Sequence, residues 1–182
     1  MRLALCLVLA IAALQITPVA APAEDVILVE GETYVASHDL GGYSIHVTYC
    51  SSASGGYAAD GLDIPGEWIE LDVTLAEAHA YRARLALQGW PDESSTLRLT
   101  LTPQAGGDAP SADFAHEGSG IGCEVPYTWA EGDALLQAGA GDYRARITLL
   151  AGSLTRVDLL ELSWDDSATA PQNWSAVKSL YR

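Results

Sequence analysis

The sequence predicts an all-β chain folded as a sandwich of two antiparallel sheets, and three observations carry that expectation. Nearly every apolar segment alternates with a period of two, which puts one side in a core and the other in water. Turn residues fall between these segments at short intervals: Gly41-Gly42, Ser54-Gly55-Gly56, Pro65-Gly66, Gly106-Gly107 and residues 139–141. No stretch ahead of residue 165 sustains a 3.6-residue apolar pattern, so helices between the strands are not expected.

The first 23 residues stand outside this pattern. Arg2 precedes an apolar run from Leu3 to Ile16, and Ala21-Pro22-Ala23 offers a small-residue cleavage site. This is the form of a secretory signal peptide, and the run is shorter than the roughly 20 residues a spanning helix needs. The expected organisation is a leader over 1–23, a β-sandwich domain over 24–164, and a linker and tail over 165–182. The exported chain would be secreted or periplasmic.

Four strands are sharply drawn. Residues 67–75 alternate Ile69, Leu71, Val73 and Leu75 with Glu70, Asp72 and Thr74. Residues 80–87 alternate Tyr81, Ala83, Leu85 and Leu87 with Arg82 and Arg84. Leu97, Leu99 and Leu101 alternate with Arg98 and Thr100, and Tyr143, Ala145, Ile147 and Leu149 with Arg144, Arg146 and Thr148. Shorter candidates are 26–35, 44–50, 134–138 and 157–164. Tyr81-Arg82-Ala83-Arg84 recurs as Tyr143-Arg144-Ala145-Arg146. The favoured reading is two strands solving one problem, with arginines lying beside the excess carboxylates of an outer face; a pair of functional basic stripes is the alternative. In the tail, Trp174, Val177, Leu180 and Tyr181 have the spacing of two helical turns, and Asn173-Trp174-Ser175 matches a glycosylation sequon.

Composition bounds the function. Of 182 residues, 49% are hydrophobic, and 24 acidic side chains against nine basic ones give a formal charge of −15. Nucleic acid and anionic membranes, which need clustered Lys and Arg, are poor partners for such a chain, and no segment is built to insert into a membrane. Behind the leader stand two cysteines, Cys50 and Cys123. In an exported protein these most simply form one disulfide. A metal site or a reactive thiol is the alternative, though no CxxC and no neighbouring histidine accompanies them.

Catalytic signatures are thin. His38, His46, His79 and His116 show neither HxH nor HExxH spacing, and Ser119 lacks the first glycine of a nucleophile elbow. His116 reads as a loop residue, and the chain reads as no enzyme. A cation site has more behind it. Glu30 and Glu32 sit two apart and would share one face of a strand, and Asp158 lies in an otherwise apolar run where a charge needs a partner. Hard oxygen ligands suit calcium; a solvated edge, or pairing of Asp158 with Arg156, is the alternative. Among aromatics, Tyr57, Trp90, Tyr127 and Trp129 fall near turns, where Trp and Tyr rings can stack on the C–H faces of sugars, while Trp68 is expected in the core.

Taken in order, these segments resemble family 6 carbohydrate-binding modules and their relatives in the galactose-binding-like superfamily. Glu30-Gly31-Glu32-Thr33-Tyr34 looks like the acidic opening strand. Gly61-Leu62-Asp63-Ile64-Pro65-Gly66-Glu67-Trp68-Ile69 is similar to the family's Gly-Asp-Trp-Ile segment. Residues 80–86 look like the strand that follows, and 141–152 with 156–160 resemble the closing hairpin. The resemblance implies a jelly-roll sandwich, a structural calcium held by Glu30, Glu32 and Asp158, and a sugar cleft with aromatics at Tyr57 and at Trp129 or Tyr127. At the position of the family's sugar-binding asparagine stands Arg156, a rigid planar donor for a hydroxyl or a uronate; the chain's one Asn is Asn173. The expected function is exported, non-catalytic binding of a poly- or oligosaccharide. The alternative is an envelope or surface protein-interaction module on the same fold, with the tail as a second protein contact.

Overall fold

The computed structural model describes residues 26–164. Twelve strands run in chain order: β1 (Val26–Glu30), β2 (Ala36–His38), β3 (His46–Tyr49), β4 (Tyr57–Leu62), β5 (Trp68–Leu75), β6 (His79–Gly89), β7 (Ser94–Pro103), β8 (Ser111–Glu117), β9 (Thr128–Glu131), β10 (Leu136–Ala138), β11 (Gly141–Ala151) and β12 (Thr155–Trp164). A single 3-10 turn over Gly31–Thr33 separates β1 from β2. The leader and the tail, with the helical spacing read in the tail, lie outside the described residues.

The strands form two antiparallel sheets. The five-stranded sheet has the order β2-β5-β11-β7-β8. The seven-stranded sheet has the order β10-β6-β12-β4-β3; β9 also pairs with β6, and β1 with β12. Both long central strands are therefore shared along one edge: β12 by β4 and then β1, β6 by β9 and then β10. Inward residues of the two sheets meet in one core holding Leu71, Leu85, Leu87, Leu99, Phe114, Ile147 and Leu160, each fully buried. The four sharply alternating segments all form strands whose apolar set faces this core. That is the outcome of a period-two pattern with one wet side.

Several expectations need correction. The expected strand over 26–35 is broken at Gly31, where a Cβ would stand 2.2 Å from the Val157 carbonyl oxygen. Only a residue without a Cβ can pass this close to β12. Residues 111–117 form a further strand, not among those expected, and His116 lies on it, 4% exposed, rather than in a loop. Only the last three residues of 134–138 are strand. Trp129 stands on β9 and not in a loop. Trp68 is not core: Ile69 and Leu71 take the inner face of β5, so the pleat turns Trp68 outward. There it stacks on His38 at 5.8 Å, with the Arg146 guanidinium 4.1 Å from its ring centre.

Candidate functional site

The outer face of the seven-stranded sheet is covered at one end by two loops, the turn after β3 (50–56) and the segment between β8 and β9 (118–127). Under them lies a second apolar cluster of Cys50, Ala53 and Ala58, packed by Cys123 and Tyr127. Backbone contacts tie the loops together: Ser52 N donates to the Cys123 carbonyl at 3.1 Å, and Ser51 Oγ to the same oxygen at 2.8 Å.

Arg156 comes up from β12 into this cluster, opposite Gln88 of β6. Its Nη2 lies 2.8 Å from Asp60 Oδ2, with the two side chains 14% and 2% exposed. Its Nη1 reaches Gln88 Oε1 at 3.5 Å, while Gln88 Nε2 donates to the carbonyls of Gly122 and Val125. Burial and the neighbouring Cys50 thiol push the Tyr127 phenol far above its ordinary range. Its hydroxyl is buried without a hydrogen bond of ordinary geometry. The Arg156 guanidinium, expected from the sequence to reach a sugar, is thus spent on an internal ion pair.

The expected disulfide is not formed in this structure: Cys50 and Cys123 are free thiols. They are neighbours nonetheless. The Cys123 thiol lies within hydrogen-bonding reach of Cys50, whose proximity raises it above the usual thiol range, and it donates to the Tyr49 carbonyl oxygen at 3.0 Å.

Glu30, Glu32 and Asp158 converge, though not as two neighbours on one strand face. Glu32 is carried back by the turn at Gly31, and Asp158 sits at the register shift of β12 between Val157 and Leu159. Ser54 stands among them. Its backbone N–H donates to both Asp158 oxygens, at 3.0 and 3.2 Å, and its hydroxyl bridges Asp158 and Glu30. Glu32 Oε2 is buried with no partner, while Oε1 leaves no space for a Cβ at Gly55, which would come within 2.8 Å. Burial, then repulsion from Glu30 and Asp158, holds the Glu32 carboxyl above its usual range. Asp158 is raised mainly by burial, against the opposing Ser54 hydrogen bonds. Among the described residues no three acidic, histidine or cysteine side chains are already gathered closely enough to hold a metal ion. The donor chemistry and the orphaned Glu32 oxygen nevertheless fit a hard cation.

The predicted aromatics divide. Trp129 pairs with Ala86 across β9 and β6 and faces outward beside Arg84, whose guanidinium stands 4.7 Å from the ring centre. Arg84 is held in a two-pronged pair with Glu161, at 2.8 and 2.7 Å. Tyr57 makes an edge-on contact with Tyr49 at 5.5 Å. Two residues from the core residue Ala59, it takes the opposite side of its sheet from Trp129. Two strands lie between them, a separation of roughly 14 Å at 4.7–4.9 Å per strand. Arg156 and Tyr127 are brought together; Tyr57 and Trp129 are not brought into one cleft.

Asp60, Gln88 and Glu161 were not singled out from the sequence; Ser54 was expected only in a turn, and Arg84 only in the repeated Tyr-Arg-Ala-Arg segment. Asp60 and Gln88 could have been singled out, by the reasoning applied to Asp158: each is a polar residue in an apolar strand, at 57–62 and 85–88.

No family model and no curated protein sequence matches the chain. Solved structures do match. The C-terminal family 6 module of LamC, a marine laminarinase from Zobellia galactanivorans, aligns at a TM-score of 0.55 and 16% identity, over 76% of this chain and 99% of that one. A family 6 module from Clostridium stercorarium, solved with cellobiose, gives 0.56 and 15% over 76% and 94%. A family 35 carbohydrate-binding module from Clostridium thermocellum gives 0.57 and 16% over 75% and 96%. The fold is that of the family 6 and family 35 modules, as the sequence resemblance implied.

Proposed function

We propose that the protein is an exported, non-catalytic carbohydrate-binding module that takes a poly- or oligosaccharide on the outer face of its seven-stranded sheet. The observation that carries this reading is Trp129: 43% exposed, standing on a strand and flanked by the Arg84–Glu161 pair. An indole beside a fixed donor and acceptor can stack on a sugar ring and orient its hydroxyls. The likeness to modules of which one was solved with cellobiose supports the same class of ligand. Arg156, Asp60 and Tyr127 lie in the cluster beneath the two covering loops, and Tyr57 belongs to a separate edge.

Calcium would be held by Glu30, Glu32 and Asp158, and its charge would relieve their mutual repulsion and fasten the 50–56 loop to β12. In an oxidising compartment Cys50 and Cys123 would join, losing two protons and two electrons to the compartment's thiol oxidants, and clamp the two covering loops. Mass spectrometry of the alkylated protein, with and without reductant, tests the bond. No helix among the described residues is long and apolar enough to cross a membrane.

A second reading, a protein-interaction module that has lost sugar binding, draws on the sequestered Arg156 and the separation of Tyr57 from Trp129. Binding to a panel of polysaccharides and uronates, with calcium and with chelator, alongside Trp129→Ala, decides between them. Binding that the substitution weakens about tenfold supports the first; a folded protein that binds nothing across the panel leaves the second.

A further inference from the structure

At the other end of β1 and β12 from the Ser54 cluster, the sandwich has an open cavity of about 280 Å³. Its walls include Val26, Ile27, Ala76, Tyr81 and Trp164, with Glu77 on the rim. The walls are held in place: Tyr81 donates its hydroxyl to the Glu77 carbonyl at 2.7 Å, and Trp164 packs edge-on against His79 at 4.2 Å. The cavity falls just below the roughly 300–1,000 Å³ of small-molecule sites, a size suited to one large side chain.

We infer that this cavity is the docking site for the chain's own segment 165–182, with Trp174 as the inserted side chain. Three observations point to that occupant. Trp164, the last described residue, is itself part of the cavity wall. The nine residues from 165 to 173 can span about 30 Å when extended, ample for Trp174 to return to the cavity. Charge agrees as well. Residues 26–164 hold twenty acidic and six basic side chains, whereas the segment beyond Asp166 carries Lys178 and Arg182 and no acid. A basic, apolar segment with Trp174, Val177, Leu180 and Tyr181 is matched to an apolar cavity rimmed by Glu77 on an acidic body. This docking is independent of the sugar-binding reading, since the cavity lies away from the Trp129 face.

Lys178 is the chain's one lysine, so a lysine-specific endoproteinase cuts the protein at a single bond. In the intact protein, cleavage after Lys178 is expected to be at least tenfold slower than in a synthetic peptide of residues 165–182. Trp174→Asp and, separately, Val26→Asp on the exposed rim should each restore fast cleavage, while amide exchange in β11 reports that both variants remain folded. The same variants should speed exchange of the amides of residues 26–28 and 76–81. Cleavage of the unaltered protein at the peptide's rate, unchanged by either variant, overturns the inference. Protection that grows with protein concentration, together with a dimer mass by light scattering, also overturns it, in favour of a second copy's segment.

Discussion

The two outer sheet faces show how one sequence device serves opposite ends. On the five-stranded sheet each of three arginines meets a carboxylate that is its direct cross-strand partner: Arg144 with Asp72, Arg146 with Glu70, Arg98 with Asp113. Trp68 is sandwiched between His38 and Arg146. This face satisfies itself. On the seven-stranded sheet Tyr-Arg-Ala-Arg returns on β6, but Arg84 joins Glu161 on one side and stands over an exposed Trp129 on the other. Beside it, two loops bury a second ion pair, Arg156–Asp60. Alternation built both faces; what separates the closed ladder from the proposed binding surface is the loops and the short strand β9 laid on one of them.

The largest difference should appear in the ion pairs. Arg156→Ala strands the Asp60 carboxylate, 2% exposed, away from water, and breaking a buried pair costs about 3–5 kcal/mol. Urea unfolding should show that loss, whereas replacing both partners by apolar residues of similar volume should cost far less. Equal losses from the single and paired changes would mean that packing, not charge, holds the cluster.

Calcium comes next. At a hundredfold excess over its dissociation constant, a ligand specific to the folded state adds about 2.7 kcal/mol, visible as a higher melting temperature that chelator removes and Glu32→Gln abolishes. The pH dependence sharpens this. Glu32 and Asp158 are raised above the ordinary values of 4.5 and 3.8, so between those values and the raised ones the folded state binds more protons than the unfolded. Stability contributed by these groups is therefore present below the ordinary values and lost as pH rises through the raised ones. Calorimetry in chelator should show that decline, and calcium, which favours the charged forms, should flatten it. Identical pH profiles with and without the ion would count against the site.

Between the two tryptophans, Trp129→Ala should weaken polysaccharide binding about tenfold, in line with ring contacts of roughly 0.5–1.5 kcal/mol. Trp68→Ala should leave affinity unchanged while lowering stability, as isothermal titration and melting curves can separate. The smallest effect is expected on the charged ladder. Glu70→Gln breaks a pair with a largely exposed Arg146, and such pairs contribute about 0–1 kcal/mol and fade with salt.

The strands 68–75, 79–89, 94–103 and 141–151 and the sandwich they build were legible because a period-two pattern with one wet side admits little else. Asp158 stood out in the sequence because a lone acid in an apolar strand demands compensation, and Glu30 and Glu32 because they lie two residues apart; the turn at Gly31 that carries Glu32 back toward Asp158 has no such local mark. Asp60 carried the same signal as Asp158 and went unread. Tyr57 and Trp129 could not be placed relative to each other from sequence, because turn chemistry says where a strand begins and nothing of which strands will lie between.

By itself, then, the sequence determined which residues face the core and that the chain closes into two antiparallel sheets, since alternation is a local property written residue by residue. Only the tertiary structure decided that Arg156 turns inward to Asp60, that Trp68 lies outside, that Gly31 breaks the opening strand, and that Trp129 is the aromatic left open beside a fixed ion pair. Each of these depends on partners tens of residues away in the chain, which strand order and loop coverage bring together and no local pattern encodes.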